Sequence, residues 1–226
     1  MDNKTNEIGA MPDLLLDFII EGSVFTIDAL LTQRQIAQTI VDGKGDYVMI
    51  AKDNQPRLRD DIETLFADPD ADKIFVEDHA TATDKGHGRL ERRTLQTSSA
   101  LNDYLDWPGM QQVFRLDCKT TIFKTGKLRT QTVYGLTSLS AQHANADQLL
   151  KLNRGQWCIE NGSHWIRDVT FGEDLSQVRN DHLPQVMAAL RNCVISLLRL
   201  LHFRFIPDAF DHFAAHSSET LAVIGC

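Results

Sequence analysis

The sequence predicts a mixed α/β protein with a β-rich block set into it and a helical C-terminal segment. Three observations predict this. A strand–helix–strand unit runs from Val24 to Ala51. Runs of β-formers broken by turn residues fill the stretch from about residue 72 to 140. From His143 onward the pattern is helical. The expected division of the chain is 1–70, 71–141 and 142–226.

Taken in order, Pro12 to Ile20 reads as a short helix with Pro12 at its start. Glu21-Gly22-Ser23 turns the chain into Val24-Phe25-Thr26-Ile27-Asp28-Ala29, a β-rich run with an acid near its end. Thr32 to Val41 is helical, with Ile36, Ala37 and Ile40 facing in and Asp42-Gly43 as its stop. Tyr47 to Ala51 is a continuous apolar run, expected as a buried strand parallel to the first. Lys52-Asp53-Asn54-Gln55-Pro56 follows at its carboxyl end, and Leu58 to Phe66 forms the next helix. After Asp68-Pro69-Asp70 the character changes. Ile74 to Glu77, Arg89 to Thr97, Val113 to Phe123 and Leu128 to Leu139 are rich in β-formers, with Lys124-Thr125-Gly126-Lys127 as a hairpin turn. Beyond Gly172-Glu173-Asp174, Leu183 to Phe203 is a long apolar helix with Pro184 in its first turn. Its expected core residues are Val186, Leu190, Val194, Leu197 and Leu198. Short helices near Asp208 to Ala215 and Glu219 to Ile224 close the chain.

At 226 residues the chain is long enough to bury a real core, and 42% hydrophobic with 24% charged residues is ordinary for a globular protein. No apolar run reaches the length of a membrane span, and the polar N-terminus has no signal-peptide core. Cys118, Cys158, Cys193 and Cys226 are scattered, which points to free thiols in a reducing cytoplasm rather than disulfides or zinc. The net charge of −8 argues against a DNA-binding surface spread over the whole molecule. Between Lys85 and Arg129, however, nine bases face four acids, so that segment is +5 and the rest −13. A local basic module can contact phosphates on an acidic protein; a solvated β-surface gives the same composition.

The stretch Arg154 to Asp168 holds two of the three tryptophans. Counted from Glu160, Trp157 is three residues before, His164 four after and Arg167 seven after, which puts the four on one helical face. The plain reading is a polar, solvated helix side with packed tryptophans. The sharper reading is a ligand-binding face, because a carboxylate away from water needs a charge or a metal beside it. Asp28, at the end of a strand, is placed where open α/β folds bind ligands. Asp28 and Glu160 are therefore candidates to share a divalent metal. Glu173 and Asp174 form the other acidic candidate and read better as helix-start charges.

The chain also resembles a known family on a series of short stretches in order. They are Asn6-Glu7-Ile8, Thr26-Ile27-Asp28-Ala29 with Thr32-Gln33, Lys52-Asp53-Asn54-Gln55, and Gly86-His87-Gly88-Arg89. Trp107-Pro108-Gly109, Trp157 to Asn161, His164-Trp165, Asp168-Val169-Thr170-Phe171 and Glu173-Asp174 follow. The resemblance is to insertion-sequence transposases of the ISAs type, DDE transposases with an RNase H-like core. It implies Asp28 as the second and Glu160 as the third acid of the triad. It further implies Mg2+ or Mn2+ as cofactor, and transposon ends and target DNA as partners. Two metal ions about 4 Å apart serve such strand cleavage and transfer. The implied phosphate contacts are Lys52, Arg89, Arg93, Lys119, Lys124, Lys127, His164 and Arg167.

Some positions depart from the pattern. The family's first acid lies in an Asp-Gly-Lys context upstream of the Asn-Glu-Ile stretch, whereas Asp42-Gly43-Lys44 follows the second acid and reads as a turn. Gln156 and Ser163 replace the family's usual His and Leu. The expectation is therefore an incomplete RNase H-like core, its early strands missing, inactive alone. The alternatives are a non-catalytic DNA- or transposase-binding remnant forming mixed complexes, and an unrelated α/β nuclease or phosphotransferase using Asp28 and Glu160 alone.

Overall fold

A computed structural model describes residues 7–68, 70–86, 88–159, 165–223 and 225. The chain forms two compact units, Met1–Gly155 and Gln156–Cys226. The first is built on one six-stranded sheet. Its strands are β1 (Val24–Ile27), β2 (Asp46–Ala51), β3 (Asp78–Gly86), β4 (Arg89–Ser98), β5 (Gln112–Ile122) and β6 (Leu128–Thr137). The spatial order is β1-β2-β6-β5-β4-β3. β1 and β2 are parallel, and every other pairing is antiparallel.

The apolar run of β2 is covered on both faces. Tyr47 and Met49 join a core with α2 (Arg34–Asp42) and α3 (Pro56–Ala67), which supply Ile36, Ala37, Ile40, Leu58, Ile62 and Phe66. Val48 and Ile50 face the other way, onto a core made by Leu95, Phe114 and Leu116 with Leu149 and Leu150 of α5 (Ala146–Ile159). The β-rich block continues the same sheet through β6, which pairs with β2 at Ile50↔Gly135. Gly135 has to be glycine there: a Cβ would meet the Phe114 ring at 2.2 Å and the Met49 carbonyl at 2.5 Å. The predicted hairpin turn forms with Gly126 at φ +64° and its N–H donating to the Ile122 carbonyl. The Trp107-Pro108-Gly109 stretch docks on the helical side. There the Tyr47 hydroxyl donates to the Pro108 carbonyl at 2.7 Å, and Arg34 lies over the Trp107 ring.

Several elements differ from expectation. Helix α1 spans Glu7–Leu16 with Pro12 inside it. Proline there removes one helical N–H, yet Met11 and Leu15 pack on the core around it, and that packing overrides the local preference. Residues 74–77 are not a strand: α4 (Ala71–Ile74) is a single turn whose last amides donate to the Asp70 carbonyl. The strand is instead β3, which the β-former count passed over. It is an edge strand with Asp, Lys, Thr and Ala in alternation, half-buried on one side and exposed on the other. Polar, charged edges are how sheets avoid pairing with other chains.

In the second unit, a π-helical turn (Ile166–Thr170) leads through Gly172 at φ +58° to a 3-10 turn (Glu173–Leu175). Helices α6 (Leu183–Leu200), α7 (Ile206–Ala215) and α8 (Ser217–Val223) follow. Their core is Ile166, Ile195, Leu198, Ile206 and Ala209 with Phe171, Phe203 and Phe210. Of the expected α6 core, Leu198 is buried, whereas Val186, Leu190 and Val194 are 49%, 55% and 37% exposed. The stripe one position round, through Ile195, is the one that meets α7 and the π-helical turn. Among the described residues no helix is long and apolar enough to cross a membrane.

Two predictions follow from this packing. Gly135→Ala should destabilise the chain by about 3 kcal/mol, since neither the Phe114 ring nor the Met49 backbone can yield fully; urea unfolding measures it. Burial, reinforced by the Asp46 carboxylate, pushes the Tyr47 hydroxyl far above its ordinary value. Its folded value exceeds its unfolded value, so its stability contribution is complete below the unfolded value of about 10 and is lost as pH rises beyond it. Tyr47→Phe should flatten that alkaline limb in thermal unfolding scans.

Candidate active site

The carboxyl ends of the parallel pair β1 and β2 carry two stretches that are separate in sequence and interlocked in space. Asp28 follows β1 directly and precedes a 3-10 turn, Ala29–Leu31, without capping it. Lys52 follows β2, and its Nζ lies 3.7 Å from Asp28 Oδ1, with both side chains more than half exposed. The backbone beneath them is held by side chains. The Thr32 hydroxyl, fully buried, donates to the Ile50 carbonyl at 2.8 Å. The Asn54 amide donates to the Ala29 carbonyl. Gln55 Nε2 donates to the Thr32 carbonyl at 3.0 Å and to Gln33 Oε1 at 3.3 Å. Arg59 ties Asp53 back to α3 at 2.7 Å. The outcome is an anchored loop pair that presents the Asp28 carboxylate and the Lys52 ammonium, loosely paired with each other, at the sheet edge.

Glu160 and His164 lie outside the described residues, as does His87. Arg167 falls in the π-helical turn, where it makes a two-pronged ion pair with Glu173; Arg191 approaches the same carboxylate at 3.6 Å. Glu173 is thus a charge that ties α6 to the preceding turn. Trp165 is half exposed, so it is not the packed residue that helical spacing predicts.

The basic residues of the β block separate by face. Arg89 and Arg93 lie on the α5 side of β4 with Glu91, to which both pair, and Arg93 also reaches Asp84 at 3.9 Å. Asp84 in turn holds Arg154 of α5 at 2.7 Å. The Cys118 thiol donates to Glu91 at 3.4 Å, and burial raises its pKa, keeping it a neutral donor rather than a nucleophile. Lys119 lies on the opposite face, with Lys124 and Lys127 at the exposed hairpin turn. Among the described residues no cluster of three His, Cys, Asp or Glu side chains is arranged to hold a metal ion.

Residues 2–197 match the family model described as "Transposase DDE domain". The chain belongs to the DDE transposase family. Membership implies an RNase H-like fold, in keeping with the mixed α/β sheet of the first unit. The protein named "Putative transposase YncI" of Escherichia coli O157:H7 is 28% identical over 203 residues, 87% of this chain and 50% of its own length. "H repeat-associated putative transposase YhhI" of Escherichia coli K12 is 28% identical over 202 residues, covering 87% of this chain and 53% of that protein. An uncharacterised protein from the dhlA 3′ region of Xanthobacter autotrophicus is 37% identical over 123 residues, 53% of this chain and 41% of that protein. The chain thus spans about half the length of the two Escherichia coli relatives.

Sequence reasoning singled out Asp28 and Lys52 in this DDE transposase chain but gave no role to Thr32, Asn54 and Gln55. Their signal was present, since all three sit in the stretches that carry the family resemblance. Thr32→Val should cost about 1–3 kcal/mol, because a buried carbonyl loses its donor, and should loosen the loop holding Asp28. Hydrogen exchange of the 28–33 and 50–55 amides checks the second effect: unchanged protection there would assign Thr32 a packing role only.

Proposed function

We propose that this chain carries part of the catalytic domain of an insertion-sequence transposase. In this reading Asp28 and Glu160 are two of the three acids that hold divalent metal for DNA strand cleavage and strand transfer. The observation that carries it is the placement of Asp28, at the carboxyl edge of a parallel strand pair, inside the 2–197 match to the family. Its carboxylate suits a hard cation: it is exposed, caps no helix, and its ion-pair partner among the described residues is a long contact to Lys52. Oxygen ligands of this kind suit magnesium or manganese. Bound metal would supply activation of the attacking hydroxyl and charge stabilisation at the leaving oxygen. Asp28 and Glu160 would hold that metal, and Lys52 would then exchange Asp28 for a phosphate oxygen. Lys119, Lys124, Lys127 and His164 are the proposed backbone contacts. Arg89, Arg93 and Arg167 engage carboxylates of the chain itself, and their proposed role is to fix the strands and turns around the site.

DDE chemistry uses three carboxylates, and in this reading the 226 residues supply two of them. Among the described residues β1 is the terminal strand of the sheet, and its outer edge pairs with no further strand. A strand bearing the first acid, from the same polypeptide or another, fits that edge. The same edge supports a second reading, in which the chain pairs non-catalytically with a full-length transposase.

The purified 226-residue chain is expected not to nick a terminal-repeat duplex in magnesium or manganese. It should do so when the segment bearing an Asp-Gly-Lys acid is supplied, and Asp28→Asn or Glu160→Gln should then abolish nicking. Efficient nicking by the 226 residues alone, lost in Glu160→Gln, would place the third ligand within them. Nicking that survives both substitutions would sink the assignment of the acids.

A further inference from the structure

The two faces of the distal sheet balance their cations differently. On the α5 face, Arg89, Arg93 and Arg154 each meet a carboxylate, Glu91 or Asp84; Arg129, at the far end of β6 opposite Thr120, is the exception on that face among the described residues. On the other face stand Lys85, Arg92 and Lys119. Arg92 and Lys119 are direct cross-strand partners between β4 and β5, an arrangement that sets Cβ atoms roughly 5 Å apart and makes like charges repel. Both are exposed, and among the described residues neither forms an ion pair. Thr83 is the β3 partner of Arg92, which puts Lys85 on the adjoining diagonal. The nearby acid on this face is Asp117. It is already taken by Arg115 at 3.0 Å and by the Thr132 hydroxyl at 2.6 Å. α3 covers the face as far as Arg115, which donates to the Phe66 carbonyl; beyond that point Thr83, Lys85, Arg92, Lys119 and Thr130 are exposed. Its remaining positions are mainly threonines, including Thr81 and Thr94, whose hydroxyls are 3.2 Å apart.

We propose that this face, centred on the Arg92–Lys119 pair with Lys85 beside it, is the chain's contact surface for duplex DNA. The inference rests on the DNA-contacting reading above and selects the surface. A like-charge pair works against the sheet until an anion lies across it. Threonine hydroxyls and these cations are suitable partners for phosphate oxygens, so the contact is to backbone and independent of sequence.

The test is fluorescence anisotropy of a short mixed-sequence duplex with the 226-residue chain at graded sodium chloride. Arg92→Thr with Lys119→Thr should weaken binding roughly tenfold or more and reduce the log–log salt slope by about 1.8, two contacts at about 0.9 each. It should not lower the melting temperature, since repulsion is removed and threonine suits a strand. Lys119→Gln alone should reduce the slope by about 0.9 and gives the same reading if the double variant folds poorly. Arg89→Gln, on the α5 face, should leave the slope unchanged. Wild-type slope in both the double variant and Lys119→Gln overturns the surface alone. Failure of the wild-type chain to bind duplex overturns the DNA-contacting reading and the surface with it, and binding to anionic lipid vesicles in place of duplex does the same.

Discussion

The pairing of Ile50 with Gly135 is the joint on which the first unit depends. β2 is the last parallel strand and β6 the first to run against it. At that joint the strand must be covered on both faces, and the α5 side is closed by the Phe114 ring lying where a side chain at position 135 would stand. Burying a side chain of that size contributes about 1.5–3 kcal/mol, and Phe114 also seats Leu149 and Leu150 of α5 in the same core. A side chain at 135 would push on all of these at once. The consequence for the site is positional. The end of β2 fixes Lys52, the adjoining β1 fixes Asp28, and the β block projects from the same strand.

Much of this was legible because periodicity reports burial directly. Ile36, Ala37 and Ile40 face the core as a 3.6-residue period requires, and the unbroken run Tyr47–Ala51 is a strand buried on both sides. What was not legible depends on neighbours. β3 reads as polar because it has a partner on one side and solvent on the other. Pro12 stays in a helix because Met11 and Leu15 are held elsewhere. In α6 two apolar stripes lie close together, and only the partner selects Ile195 and Leu198 over Val186, Leu190 and Val194. At the site, Asp28 is visible as an acid ending a strand, whereas Thr32, Asn54 and Gln55 act through bonds to backbone about twenty residues away. No local pattern encodes such bonds.

Charge shows the same division between composition and structure. The sequence gives a segment of +5, which treats all nine bases alike. Strand register separates them. Arg93 and Glu91 are two apart on one strand and so share a face, where Asp84 joins from β3 and Arg154 from α5. Arg92, one residue away, points to the other side and meets Lys119 instead. A shift of one residue in the β4 register would exchange the two sets. Among the described residues, which bases of the β block meet carboxylates is therefore set by strand register as much as by where lysine and arginine occur.

The edge that carries Asp28 combines a rigid backbone with an uncommitted side chain. Exposed ion pairs at distances like the 3.7 Å between Lys52 and Asp28 contribute about 0–1 kcal/mol, too little to hold the carboxylate against a competing cation. The hydrogen bonds from Thr32, Asn54 and Gln55 act one layer below, on main-chain carbonyls, and leave both carboxylate oxygens free of a cap. A group meant to stabilise the fold would be arranged the other way, with its charge consumed as Glu173 is by Arg167 and Arg191. Precise backbone and free charge together are what a ligand site requires. This contrast between Asp28 and Glu173 is the physical reason to rank the strand-end acid above the loop acid.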